Sequence, residues 1–293
     1  MTHTQNQRVH VNFLVVVYST SPGLTTTLKS LANLNFQSAR ILPKFSIWDN
    51  SEQGFGEASV PTLPGEITYY HSGKNERLST VYNTLISNSA ESDYFIVLDD
   101  DSSVTNDYVS SLDLFFRSTV PVAVPQILFN HNLISPGIIK GVRGRALNVQ
   151  DLVTGPVPSK NIVAMMSGTV ISKEALSRGL KFDERLSFYG VDTRFFIDYA
   201  NYYSEIFILN TSIPHSSALR EGGQAYTKKV QRFRNLILSR PLVFDYVKYH
   251  KFKISFYVLL FSLNTCLKEK NIRYLSLMLL ALHILSPRKS YAR

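Results

Sequence analysis

The chain has a single cysteine, Cys266, among 293 residues. One thiol excludes an intramolecular disulfide framework and any cysteine-rich zinc module. Long apolar runs are also missing. ISFYVLLFSL and YLSLMLLALHIL, both strongly apolar, are only 10 and 12 residues long, whereas a bilayer-spanning helix needs about 20. The first ten residues, MTHTQNQRVH, are polar and lack the apolar centre of a secretory signal, so the expected setting is reducing and cytoplasmic. Charged residues are sparse, at 18% against 44% hydrophobic, and that balance excludes disorder as the main state. At ~150 residues per domain, the length suits one large α/β unit or one domain with a substantial extension.

Acidic residues are almost absent from the last quarter. Residues 226–293 hold 14 Lys and Arg against 2 Asp and Glu, while residues 1–225 hold 17 against 20. The whole net charge of +9 therefore rests on the tail. Such a tail can face nucleic acid, an anionic membrane or a polyphosphate ligand, and composition does not choose among them.

What is present is an alternation of strand-like and helix-like segments. VNFLVVVY (11–18) is a continuous apolar run, as expected of a buried parallel strand. Pro22 then suits the first turn of a helix carrying Leu24, Leu28, Leu31 and Leu34. Strands follow at KFSIWDNS (44–51), EITYYHS (66–72) and YFIVLDDD (94–101), with helices near 78–87 and 108–117 and a strand near 120–129. This order predicts a mostly parallel sheet covered on both faces, with ligands at the carboxyl ends of the strands. Each of the first four strands ends in polar residues: Tyr18-Ser19-Thr20, Asp49-Asn50-Ser51, His71-Ser72-Gly73 and Asp99-Asp100-Asp101. Residues 130–160 read as a hairpin or lid. One strand is expected over 162–172, then a short helix over 173–178 closed by Gly179, and a last strand at IFIL (206–209). The two apolar stretches of the basic tail either lie in a membrane interface or pack on the domain or on a second subunit, which would make a homo-oligomer.

Asp99-Asp100-Asp101 is the sharpest chemical feature, since three adjacent carboxylates repel one another without counter-charge. At a strand end Asp99 and Asp101 share a face and Asp100 points the other way, which suits a divalent cation completed by phosphates. The bland alternative is an acidic turn. An EF-hand is excluded, because Val104 stands where glycine is required and Ser110 where the bidentate glutamate belongs. Asp49 can accept from a base N–H or a ribose hydroxyl, or cap a turn. Tyr18 can border a base or fill the core. Asp192, in FYGVDTRFF, can act as a general base in an aromatic setting or as a helix N-cap. His215 can ligate metal as a neutral imidazole. Arg220, Arg232 and Arg234 can embrace a diphosphate.

Taken in order, VVVYSTSPGL, IWDNS, KNERLSTVYN, YFIVLDDDSSV, MSGTVISKEAL, FDERLSFYGVDTRFF, the late His215 and RFRN resemble an inverting GT-A glycosyltransferase of family 2, of the bacterial rhamnosyl- and galactosyltransferase kind that builds surface polysaccharides. The resemblance covers about residues 11–235. It implies a Rossmann-like GT-A domain over 1–225, with a nucleotide-binding half to about 125 and an acceptor and catalytic half from 126, followed by a basic helical region over 226–293. It places Tyr18, Asp49, Asn75, Arg77, Asn83, Asp99 and Asp100 with the donor nucleotide, and Ser167 and Gly168 with the donor sugar and acceptor. Asp101, Asp99 and His215 would hold Mn2+ or Mg2+, with Asp192 the catalytic base. Two departures stand out: Arg77 replaces a frequent glycine of the donor loop, and Val191 replaces a second acid before Asp192.

The expected activity is transfer of a hexosyl or deoxyhexosyl group (galactose, glucose or rhamnose type) from a UDP- or dTDP-sugar to a glycan hydroxyl. The acceptor is expected to be a lipid-linked polysaccharide or O-antigen intermediate, and the chain to sit on the inner face of the membrane. The alternatives are a sugar-1-phosphate nucleotidyltransferase and a basic nucleic-acid-binding protein. YSTSPG lacks the glycine-rich, arginine-bearing loop of the first, and the triple aspartate opposes the phosphate backbone the second would bind.

Overall fold

A computed structural model describes residues 8–215 and 225–286 of the chain. These fall into two compact units, residues 1–138 with 145–216, and residues 139–144 with 217–293.

The first unit begins as the apolar periodicity predicts. β1 (Val9–Val17) is buried along almost its whole length, and its neighbours β2 (Ile41–Asp49) and β4 (Tyr94–Asp99) run parallel to it. β3 (Glu66–His71) adds to β2 in parallel. Between the strands lie α1 (Thr26–Leu31), α2 (Leu78–Ser87) and α3 (Asn106–Phe116). Pro22 opens a 3-10 turn rather than the helix itself; the helix starts after Thr25, whose hydroxyl accepts the Leu28 N–H. Side-chain capping thus sets the start of this short helix, which ends before Leu34.

β5 (Val122–Phe129), β6 (Asn132–Ser135), β7 (Gly137–Lys140), β8 (Arg143–Ala146) and β9 (Gly155–Pro158) occupy the stretch expected as a strand and then a hairpin or lid. The single strand expected over 162–172 is two, β10 (Ile162–Val163) and β11 (Thr169–Ser172). Gly168, at φ 76°, breaks it. A Cβ there would also meet the Ile213 Cδ1 at 2.5 Å and the Pro125 Cγ at 2.8 Å, so glycine is required on both counts. α4 (Lys173–Ser177) and α5 (Val191–Tyr202) precede β12 (Glu205–Pro214), which runs five residues beyond the expected IFIL strand.

The main sheet has the order β3-β2-β1-β4-β11-β5-β12-β9, with β6 beside β5. β11 is antiparallel to both β4 and β5, and β12 is parallel to β5. Strands β1 to β5 and β12 therefore all point one way. The ends of β4 and β12 lie on one edge although 115 residues separate Asp99 from Pro214. One face packs Val11, Phe13 and Val15 against Leu28, Leu31 and the apolar side of α3. The alternate residues Leu14, Phe95 and Val97 are equally buried on the other, as period-two strands require.

The second unit contains α6 (Tyr226–Val243), α7 (His250–Glu269) and α8 (Leu279–Leu285), with a 3-10 segment at Ile272–Met278. Phe233 packs edge-on against Phe261 at 5.1 Å, and Lys229 pairs with Glu269 at 2.7 Å. The buried Arg240 guanidinium lies 4.0 Å from the Tyr257 ring centroid, a cation–π contact that offsets part of its desolvation. Among the described residues no helix is long and apolar enough to cross a membrane.

Candidate active site at the carboxyl edge of the sheet

Asp99 ends β4 and His215 follows β12, so the parallel topology brings them to the same edge. One ligand atom each from Asp99, Asp101 and His215 lies within 4.8 Å of the others. The His215 Nδ1 faces the Asp101 Oδ1 at 3.4 Å, yet no hydrogen bond joins them, and both atoms are buried without any hydrogen-bond partner. Buried polar atoms are nearly always satisfied. Two that face each other, with the Asp99 carboxylate as a third ligand group, are what a cation would complete. Two carboxylates and an imidazole are a donor set suited to a divalent ion that keeps open positions for substrate oxygens.

The electrostatics agree. Burial, with the charges of Asp101, Asp100 and Asp192 added, pushes the Asp99 carboxyl up to about 7 against the pull of His215. Burial works against a charged His215, but Asp101 and Asp99 outweigh it and raise the imidazole. The Asp100 carboxyl is also raised by burial, although it accepts the Tyr18 N–H at 3.4 Å. Negative charge is thus concentrated at one point, and among the described residues His215 is the cationic group that offsets it at Asp99.

Thr27, which the sequence reading passed over, holds this acidic turn together. Its hydroxyl bonds the Asp99 carbonyl closely, reaches the Ser102 carbonyl at 3.1 Å and accepts the Ser102 N–H at 2.8 Å. Its own N–H meets the Asp100 carbonyl at 3.3 Å. Its position in the first turn of the helix that follows the first strand was the available signal. Thr27→Val keeps the shape and strips the hydroxyl, leaving the buried Ser102 N–H unpaired. Unfolding stability should fall by about 1–3 kcal/mol, read as a lower denaturation midpoint, and Thr27→Ser should restore it.

Asp192 lies in the first turn of α5, half-buried. The N-cap is Gly190 at φ 84°, so the capping alternative does not apply to Asp192 itself. Its Oδ1 accepts the Thr193 N–H at 2.6 Å, and burial raises its pKa. The charge of Asp192 is the least of those that raise Asp99, and the buried Tyr82 hydroxyl is raised by burial and then by both carboxylates. The acidic turn and Asp192 therefore share one neighbourhood. Aromatic stacking positions α5: Tyr82 of α2 meets Phe182 at 5.0 Å, and Phe182 stacks on Phe195 of α5 at 4.7 Å.

The remaining expected residues divide. Tyr18 is half exposed at the end of β1, free to border a ligand. Asp49 is fully buried, and its oxygens accept the Tyr69 hydroxyl at 2.6 Å, the Phe55 N–H at 2.8 Å and the Ser51 N–H at 3.0 Å. Burial raises its pKa, but these donors prevail and hold it below the ordinary value. In this arrangement Asp49 organises its own turn. Asn75 accepts from Asn50 at 2.8 Å, and Asn50, another residue sequence reasoning missed, also holds both the N–H and the carbonyl of Glu76.

Arg77 donates to the Glu184 carbonyl at 2.9 Å, and Asn83 donates to the Phe182 carbonyl and accepts its N–H, both at 3.0 Å. Arg77 and Asn83 thus brace the segment leading into Asp192, a connection hidden from sequence by about 100 intervening residues. Ser167 is fully buried with its hydroxyl close to that of Ser102. Gly168 donates its N–H to the Val97 carbonyl at 2.7 Å and accepts the Tyr108 hydroxyl at 2.7 Å. Both lie beside the acidic turn. Arg232 and Arg234 stand on α6 of the second unit, and Arg220 lies outside the described residues. A groove of about 850 Å³ along α3 and β12 is lined by neither Asp99 nor Asp101.

Residues 13–130 match the model of Glycosyl transferase family 2. Succinoglycan biosynthesis protein ExoM of Rhizobium meliloti (strain 1021) is 32% identical over 124 residues, which is 41% of this chain and 38% of that protein. Among solved structures, GalNAc-T7 with UDP, GalNAc and Mn2+ superposes with a TM-score of 0.56 at 14% identity, covering 80% of this chain and 48% of that one. S. aureus TarS 1-349 in complex with UDP-GlcNAc gives 0.53 at 12% identity, covering 92% and 79%. At such identities the structural likeness is one of fold. The mostly parallel sheet is thus a GT-A-like fold, and its residues 13–130 resemble glycosyl transferase family 2.

Proposed function

We propose that the chain is an inverting, metal-dependent glycosyltransferase. Its donor is a UDP- or dTDP-hexose or deoxyhexose, and its acceptor is a hydroxyl of a lipid-linked glycan in surface polysaccharide or O-antigen synthesis. The observation that carries this reading is the pair of facing ligand atoms on Asp101 and His215, 3.4 Å apart and without hydrogen bonds, set beside Asp99. The structural neighbours solved with UDP or UDP-GlcNAc support a nucleotide-sugar donor, and the succinoglycan relative supports a polysaccharide product.

Asp99, Asp101 and His215 would hold a Mn2+ or Mg2+ ion, which when bound neutralises charge on the diphosphate. Asp192 accepts the proton of the acceptor hydroxyl. That oxygen bonds to the anomeric carbon on the face away from the nucleotide, and the carbon–oxygen bond to the diphosphate breaks. Its electron pair leaves with the nucleoside diphosphate, and the anomeric centre inverts. Thr27 fixes the acidic turn, and Arg77 and Asn83 fix the approach to Asp192. Tyr18 borders the base.

A panel of UDP-, dTDP- and GDP-sugars with Mn2+ tests the donor class. A UDP- or dTDP-sugar should raise the unfolding temperature and yield free nucleoside diphosphate with an inverted glycoside. Pyrophosphate release with a new nucleotide-sugar would instead identify a nucleotidyltransferase.

A further inference from the structure

α7 is amphipathic the wrong way round for a helix surrounded by water. The side it buries carries Ile254, Ser255, Val258, Ser262 and Thr265. Its exposed side carries Phe252, Phe256, Leu259, Leu260, Leu263 and Leu267. At 100° per residue these six fall within an arc of about 100°, a continuous apolar stripe. Phe252 is 69% and Leu267 76% exposed. Ser255 and Ser262 are accommodated inside by donating to the Ala281 and Val258 carbonyls. α8 repeats the pattern over about two more turns, burying Leu280, Ala281 and Ile284 while exposing Leu279, Leu282 and Leu285.

Single exposed leucines are ordinary, but a contiguous face of this size marks an interaction surface. The charge around it identifies the occupant. Lys253, Lys268, Lys270 and Arg273 are exposed along the same helix and the turn that follows. One of the two acidic residues of the whole tail, Glu269, is spent on Lys229. Neither helix is long and apolar enough to span a bilayer. An exposed apolar stripe bordered by cations complements an anionic lipid surface, which takes apolar side chains below the headgroups and attracts cations from above them. We propose that the Phe252–Leu267 stripe of α7, continued by the exposed leucines of α8, is a membrane-docking face that lies in the interface of an anionic bilayer.

The test is co-sedimentation of the full chain with vesicles of phosphatidylcholine alone or mixed with phosphatidylglycerol. The chain should pellet with the mixed vesicles, less with the neutral ones, and less again at high salt. Phe252→Ser with Phe256→Ser and Leu263→Ser should lower binding at least about tenfold, and Lys253→Glu with Lys268→Glu should abolish the preference for anionic lipid. These side chains are exposed, so nucleotide-induced thermal shifts should be unchanged, which separates this result from any failure of the assigned activity. As a second measurement, Phe256→Trp should shift its emission to the blue on adding vesicles and be quenched by brominated lipid. The proposal is overturned if the wild-type chain stays in the supernatant. It is equally overturned if the triple serine variant pellets like wild type, or if the face proves to hold a dimer that the triple variant splits.

Discussion

Asp192→Asn should bind the donor nucleotide as the wild type does and transfer sugar more slowly by a factor on the order of 10²–10⁴, the usual contribution of a positioned general base. The substitution keeps the volume and the contact with the Thr193 N–H, so α5 and its stack through Phe195 and Phe182 are not disturbed. What is lost is the ability to take a proton. The wild-type pH profile carries the same information. Burial raises the Asp192 carboxyl, so the base is protonated, and transfer falls, at a higher pH on the acid side than for a free carboxylate. The neutral amide should not share that limb. Single-turnover transfer together with calorimetric nucleotide titration measures both, and undiminished turnover in the variant would remove Asp192 from its role.

Asp101→Ala and His215→Ala should each weaken Mn2+-dependent binding of UDP or dTDP by at least the ~10–100-fold that loss of even an outer partner costs a metal site. Metal-free binding should change far less. Each variant leaves the other member of the Asp101–His215 pair, 3.4 Å apart, buried without its neighbour. A metal ligand should lose Mn2+-linked affinity on substitution, whereas a purely structural ion pair should lose thermal stability and leave that affinity unchanged. Calorimetry with and without Mn2+, and with chelator, distinguishes the two. Equal nucleotide affinity with and without metal in the wild type would overturn the assignment.

The alternating pattern made most of the first half of the fold legible, because parallel strands buried on both faces are continuous apolar runs and their ends are polar. β1, β3, α2 and the acidic tip of β4 lie close to where periodicity put them. The break between β10 and β11 was not legible, because Gly168 is needed for its φ and for the approach of Ile213 and Pro125, and neither depends on local spacing. The length of β12 was missed for a related reason. Its second half pairs with β5 after a register shift, so tertiary pairing holds residues whose own propensity is weak.

By itself the sequence determined the class of the fold, the clustering of carboxylates at a strand end, and the basic, apolar character of the last quarter. Those are local properties, written in composition and in periods of two and 3.6. Only the tertiary structure decided that His215 faces Asp101, that Thr27 clamps the turn, that Asp49 is spent on its own loop, and that α7 turns its phenylalanines and leucines outward. These depend on which segments meet across a hundred residues or more and on which side of a helix is covered, and no spacing along the chain encodes either.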